Sequence, residues 1–552
     1  MRAVAALVAV AAACGATGSG RHAPKLTPPD ELDLRAPGAA YLAMVGGRLQ
    51  PGWSQFLTDC RQRLPAEHPL NAMTLVATAE LAIDPGGHMT VATIAAPSGN
   101  PDFDRAVRDV LADAHDVAIP PRDLLADDDR VHLRWVFARD RRQAGPATAE
   151  LVSVRLPVAT VVPRLVAAGE LGRAARRIAI APGEQGAGPA TRALMIAALA
   201  EALAATADER VRIGALDAVQ RGKLAELAPN VRPIIAPTTG AELRADAIIT
   251  AGAIGDEAVA PRLLEALPRD LADQPTVAVA ETRALVALGR GADAARVIAD
   301  ALQSSPGGAA ALAFAIAPTP SRVAALAAKF AGYDAPARAA SCGALATSPP
   351  GLAALAAGLR DADSTVRASC AEAAGVRASA PIVARLVELV RDRDRSVRAH
   401  AIASLAQLAP QRLPAVDDEA PSVRAAYALA LAKLPARATA LHALAADRDA
   451  DVRAAAWRAL AESHAGATDA EVAAADTSAQ VRAAVVASLG DGAALANLAD
   501  DDAPEVRTAA LIRIAQLRGR AASEPDLLMR LAVAPPASAE RVRIALAWLL
   551  AG

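Results

Sequence analysis

The sequence predicts a mainly α-helical fold, a right-handed α-solenoid of helix pairs preceded by a small α+β domain, and three observations lead there. The pattern Asp-x4-Val-Arg recurs six times without a gap, as Asp361/Val366-Arg367, Asp392/Val397-Arg398, Asp418/Val423-Arg424, Asp447/Val452-Arg453, Asp476/Val481-Arg482 and Asp501/Val506-Arg507. Self-similarity at a period of about 25 to 31 residues marks stacked supersecondary units. Apolar residues make up 53% of the chain, largely alanine and leucine, while aromatics reach only 2%, the composition of close-packed helices. Between Thr74 and Phe137, in contrast, apolar spacing alternates in three runs, as strands require.

At 552 residues the chain exceeds one compact core, so several domains or a repeat array is expected. The formal charge is −2 with 21% charged residues, which supplies neither a polycation for nucleic acid nor an acidic tail. Nucleic acid is therefore not an expected partner.

At the N-terminus, Arg2 is followed by the uncharged run Ala3 to Ala13 and then Cys14-Gly15. The run is too short to span a bilayer and resembles a bacterial lipoprotein signal, with Ala11-Ala12-Ala13 before an acylated cysteine. That resemblance implies removal of residues 1–13, lipidation of Cys14 and attachment to a periplasmic membrane face by lipid alone. Gly15 beside the cysteine resembles the outer-membrane class. Without such a signal the same chain reads as cytosolic. Residues 14–37, rich in glycine and proline, are expected to be a flexible tether.

Residues 38–142 carry the small domain. Tyr41, Val45, Leu49, Trp53, Phe56, Leu57, Cys60 and Leu64 have helical spacing, interrupted near Pro51. Thr74 to Ile83 reads as a strand, Asp84-Pro85-Gly86-Gly87 as a turn, and Met89, Val91, Thr93 and Ala95 as the returning strand. Ser98-Gly99-Asn100-Pro101-Asp102 opens a helix with Phe103, Val107, Val110 and Leu111 on one face; Pro120-Pro121 follows, and Val131 to Phe137 closes as a third strand. This order resembles the TonB C-terminal domain family. The resemblance implies a two-layer unit whose sheet edge accepts an extended peptide of an envelope partner. An energy-transducing TonB has an uncleaved membrane helix, a long spacer and this domain last, so docking is the implied role and proton-motive coupling is not. His88 and His132 read as polar positions on the solvated face, with no third ligand for a metal.

Residues 143–189, broken by Pro146, Pro157, Pro163, Pro182 and Pro189, are expected to be a linker, and residues 190–552 the solenoid. Ala301 to Ser321 and Ala339 to Leu359 are charge-free at membrane-spanning length, yet proline and glycine at turn positions mark them as repeat helices joined by loops.

One unit shows the repeat chemistry. Ile382, Val383, Leu386, Val387 and Val390 form one apolar stripe; Val397, Ala401, Ile402, Leu405 and Leu408 form the facing one. Asp392 or Asp394 is placed to cap the second helix, worth on the order of 1 kcal/mol. The acidic turn followed by Val-Arg and alanine resembles HEAT repeats of the short bacterial class also seen in phycobilin-lyase-like proteins. In that family the two columns, here Asp361, Asp392, Asp418, Asp447, Asp476 and Asp501 with Arg367, Arg398, Arg424, Arg453, Arg482 and Arg507, form a structural ladder. If its pairs are exposed, each contributes only about 0 to 1 kcal/mol.

No Gly-x-Ser-x-Gly elbow, phosphate loop or His-Glu-x-x-His occurs, so no catalytic residue, cofactor or metal ligand is assigned. Cys60, Cys342 and Cys370 include no Cys-x2-Cys pair; Cys342 and Cys370 lie one repeat apart and read as small buried hydrophobes rather than a bridge. The expected function is a lipid-anchored envelope scaffold that binds protein partners. A cytosolic HEAT adaptor or a chromophore-lyase relative is the alternative.

Overall fold

In the computed structural model the described residues are 38–126, 129–144, 148–180, 186–304, 320–377, 379–434, 437–464 and 469–552. Two compact units divide the chain, Met1–Ala193 and Leu194–Gly552. The chain is mainly α, with many sequential helix pairs and a small α+β region holding a four-stranded antiparallel sheet.

In the first unit helix α1 (Ala39–Arg63) runs unbroken through Pro51, where the spacing suggested an interruption. An interior proline costs about 3 kcal/mol. Leu49 and Trp53, one on each side of it, are both 0% exposed, and burying each gains about 1.5–3 kcal/mol, so packing keeps the helix whole. Strands β1 (Val76–Ile83) and β2 (Met89–Ala96) form the expected hairpin. Its turn needs Gly87, whose φ of +90° and contact with the Val117 carbonyl leave no room for a Cβ. Asn100 caps α2 (Pro101–Asp113) by accepting from the amides of Asp102 and Phe103. Strand β3 (Val131–Ala138) then pairs with β1.

The stretch expected to be a linker is not one. Ala149–Arg155 is a fourth strand, β4, paired with β3, and the sheet order is β2-β1-β3-β4. Helices α3 (Val158–Ala167) and α4 (Leu171–Ile180) follow, and Val154, Leu156 and Val161 join the core of the sheet. Prolines 157 and 163 masked this: the first precedes α3 and the second is accommodated inside it. Trp53 centres the core, with the rings of Phe103 and Phe137 edge-on at 5.2 and 5.1 Å. Its indole N–H donates to the Thr148 carbonyl at 3.0 Å, tying α1 to the start of β4.

In the second unit one helix of each repeat packs on its counterpart in the next. The first are α5 (Glu209–Gly222), α6 (Ala241–Ala253) and α7 (Pro275–Ala287), packed in that order. After α8 (Gly291–Ser304) and α9 (Pro320–Lys329) come α10 (Ala335–Ala346), α11 (Ser364–Ala374), α12 (Arg395–Leu408) and α13 (Pro421–Leu431). The series ends with α14 (Ala450–Glu462), α15 (Ala479–Val485), α16 (Pro504–Arg518) and α17 (Ala539–Leu549). From α10 to α17 each packs on the next. All six valines of the signature are 0% exposed. The charge-free stretch from Ala339 to Leu359 resolves into parts of two helices, Ala335–Ala346 and Leu352–Gly358, around Pro349-Pro350, and no described helix is long and apolar enough to cross a membrane.

The helical unit closes on itself. α17 packs on α5: Val542 stands against Gly214, Leu549 against Gly222, and Arg541 pairs with Glu201. The circuit runs from α5 through α6, α7 and α8, then by the Arg322 guanidinium to the Ala295 carbonyl into α9, and on through α10 to α17. First and last repeats thus bury each other's ends.

Cys342 on α10 and Cys370 on α11 form a disulfide, with Cα atoms 4.8 Å apart, which corrects the expectation of two unlinked apolar cysteines. Equivalent helix positions one repeat apart bring the two side chains together. Gly358 packs on the Cys370 sulfur, where a Cβ would collide.

Closure makes a remote prediction. Val542→Asp puts an unpaired charge into the seam, and hydrogen exchange should accelerate throughout Glu209–Gly222, more than 300 residues away in sequence, as well as in α17. Exchange confined to α17 would show that the ends do not support one another.

Candidate functional site

The best-defined constellation is the Asp and Arg columns. Five of the six arginines reach forward to the aspartate of the next repeat. Arg367–Asp392, Arg398–Asp418, Arg424–Asp447, Arg453–Asp476 and Arg482–Asp501 are bidentate, with Nε and Nη2 2.7–3.0 Å from the two carboxylate oxygens. Nη1 of the same arginine reaches backward to the carbonyl of its own repeat's aspartate, at 2.8–3.0 Å in Arg367, Arg398, Arg424, Arg453 and Arg482. The carboxylate also accepts the amide two residues on, as Asp392 does from Asp394 at 2.9 Å. Asp394 in turn caps α12 through the amides of Ser396 and Val397. The two acids of the turn therefore divide the work, one for the rung and one for the cap.

A further rung lies upstream. Arg338 holds Asp361 at 2.7 and 3.0 Å, though alanine replaces valine before it and Gly332 stands where its own repeat's aspartate would be. At the other end Arg507 meets, among the described residues, only the carbonyls of Asp501 and Asp502, because position 537 is alanine.

The rungs are sheltered, contrary to an exposed-pair ladder. Arginine side chains are 6–20% exposed and their aspartates 10–16%. The carboxyls lie below their usual range. For Asp361, Asp447, Asp476 and Asp501 the largest cause is the arginine's hydrogen bond. For Asp392 and Asp418 burial is the largest influence and pushes upward, but the arginine and amide bonds together outweigh it. Depressed folded values mean that this stability is present above the unfolded value of 3.8 and is lost as pH falls through the folded one.

A second cluster lies where the ladder is interrupted. Arg244 on α6 has no aspartate at the rung position, which is Ala272. Its guanidinium turns to Asp270, at 2.7 Å, and to Glu281 on α7, at 3.2 Å, with Arg269 2.8 Å from the other Asp270 oxygen. Asp270 and Glu281 are 0% exposed and Arg244 2%. Burial, reinforced by the neighbouring Asp270 charge, raises the Glu281 carboxyl to about 8. Asp270 stays below its usual value: burial opposes most strongly, and hydrogen bonds from Arg269 and Arg244 prevail. At neutral pH Glu281 therefore carries the proton and Asp270 the charge.

In the first unit β2 is an edge strand with β1 as its one neighbour in the sheet; at its start the Met89 amide donates to the His115 carbonyl, and Thr90 to Thr93 beyond are exposed. His88 Nδ1 is 2.7 Å from Asp116, not close to a ligand set, and its hydrogen bond to Asp116 raises its pKa. His132 stands opposite Ala82 in the β1–β3 register. Cys14 lies outside the described residues. No group of three candidate metal ligands occurs among the described residues.

No protein-family model and no curated protein matches the chain. Among solved structures it is similar to an engineered protein determined by the Northeast Structural Genomics Consortium, at 20% identity over 57% of this chain and 97% of that one, with a TM-score of 0.22. At that score the match bears on neither fold nor function.

Two outcomes test the charges. Asp447→Asn leaves Arg424 sheltered without its counter-charge and should cost roughly 2–4 kcal/mol in denaturant melts, while the matched change at exposed Asp526 should be near neutral. Glu281, with a folded pKa above its unfolded 4.5, makes stability fall as pH rises from about 4.5 to about 8, since the unfolded chain releases that proton first. Glu281→Gln should flatten that part of the profile, measured by melts at successive pH values.

Proposed function

We propose that the chain is a non-catalytic scaffold of a bacterial cell envelope, anchored through lipid on Cys14, that binds protein partners by a strand edge in the first unit and by helix faces in the second. The observation that carries the docking role is the exposed edge strand β2. Its outer row of backbone groups is a template for an extended peptide, with side-chain pockets adding selectivity. The element order through β3 resembles the TonB C-terminal domain, which supports the same mode.

The Cys342–Cys370 disulfide supports the location. Such bridges persist in the periplasm and outside the cell and are rare in a reducing cytosol. It weighs against the cytosolic adaptor or chromophore-lyase alternative. The Arg–Asp rungs support a HEAT-like reading of the helical unit, and as paired, sheltered groups they are structural rather than ligand-binding.

Mass spectrometry of the N-terminus should find a lipidated Cys14, with palmitate label on the protein and a precursor accumulating under globomycin. An unmodified Met1 in the soluble fraction would overturn the envelope location. For docking, full-length protein carrying Val91→Lys and Thr93→Lys should lose partners that the unaltered protein captures from envelope extract, because cations on an edge blunt strand addition. Equal capture by both would remove β2 from the binding surface.

A further inference from the structure

One arginine of the helical unit stands in the rung position with nothing to hold. The residue after the first buried apolar position is arginine in α6 and in α10 to α17, and in α5 arginine follows the half-buried Val211. Arg338 to Arg482 hold the next aspartate, Arg244 has Asp270 and Glu281, Arg507 has two carbonyls, and Arg543 has Glu540. The guanidinium of Arg212, after Val211, has no hydrogen bond or ion pair among the described residues, and its Nε is sealed from solvent without a partner. The residue that should supply the carboxylate, five before Leu243, is Thr238.

The rest of the rung is in place. In an occupied rung the amide two residues after the aspartate donates to it, as those of Asp363, Ala420 and Ser478 do. Its counterpart here is the Gly240 amide, which donates to no described acceptor. Arg212, Thr238, Thr239, Gly240 and Asn230 line one cleft of about 560 Å³, with Leu203 and Ile234 on its apolar side. That volume falls in the range of ligand pockets, about 300–1,000 Å³. A buried Nε–H without an acceptor is costly, and a planar carboxylate is the acceptor that the guanidinium fork fits best.

We propose that this cleft is a carboxylate-binding site, in which Arg212 and the Gly240 amide take an acidic group of a bound peptide as the occupied rungs take aspartate. The hydroxyls of Thr238 and Thr239 and the Asn230 amide offer further donors, and the apolar side receives a neighbouring side chain. Glu209 also lines the cleft, near Gly240, and is exposed; it opposes the incoming charge and limits affinity. The chemistry of the cleft is independent of where the chain resides and of whether β2 docks peptides.

Calorimetry on the full chain with blocked peptides tests it. N-acetyl-Ala-Asp-Ala-amide carries a side-chain carboxylate, and N-acetyl-Ala-Ala-Ala with a free C-terminus carries a terminal one; the Asn and amidated forms are the neutral controls. At least one acid should bind and the controls should not, and the preferred acid identifies the source of the carboxylate. Arg212→Gln should weaken binding by about tenfold or more, and Glu209→Gln should tighten it. Thr238→Asp completes the rung in the chain itself: it should raise the melting temperature by roughly 1–3 °C and abolish peptide binding. Failure of both acids to bind, binding that survives Arg212→Gln, or a Thr238→Asp protein that is not stabilised and still binds would overturn the proposal.

Discussion

The second unit depends on a guanidinium shared between neighbours. An arginine has five donors in a rigid fork. In Arg424 two of them meet the Asp447 carboxylate of the next repeat while Nη1 meets the carbonyls of Asp418 and Glu419 in its own. Lysine, a point charge, cannot face both ways. The preceding valine, wholly buried, carries the arginine to the layer boundary and shelters it. Taking two ions out of water is expensive, so such rungs do not rank with the apolar core as a source of net stability. Their effect is on register: each repeat is held at one offset from the next, and an error repeated around the unit would keep the ends from meeting.

How much of this could be read from the chain depends on how local the cause is. The Asp-x4-Val-Arg signature, the β1–β2 turn and the helix start at Ser98 to Asp102 are set by residues within a few positions, and all were legible. Pairing of the columns came only with the likeness to HEAT repeats, and shelter could not be judged without seeing the neighbouring layer. Strand β4 hid behind Pro157 and Pro163, which announce a break but in fact flank a strand and enter a helix. The Arg244 cluster joins positions 26 and 37 residues apart with no motif. The disulfide was ambiguous for the opposite reason, since two cysteines one repeat apart suit either a bridge or plain packing.

The candidate sites follow the same division. Arg212 was invisible as a site because the sequence shows it inside a Val-Arg pair like the others; only Thr238 opposite it, and the unsatisfied Nε, set it apart. The strand edge β2 was foreseen as a hairpin strand, but its position at the rim depends on β3 and β4 lying on the other side of β1. Regular rungs explain the architecture, and the irregular places are where chemistry is left over.

Closure of α17 on α5 carries a consequence for how such a chain changes through descent. An open array gains or loses a repeat at an end, or within, and only its length alters. Here α5 and α17 are each other's caps, so one more unit or one fewer would prise apart Val542 from Gly214 and Leu549 from Gly222. Duplication, the usual route by which repeat proteins acquire new surface, is closed to this one. Novelty has to enter by substitution within a fixed number of units, and loss of a single acid from a column is the smallest such step.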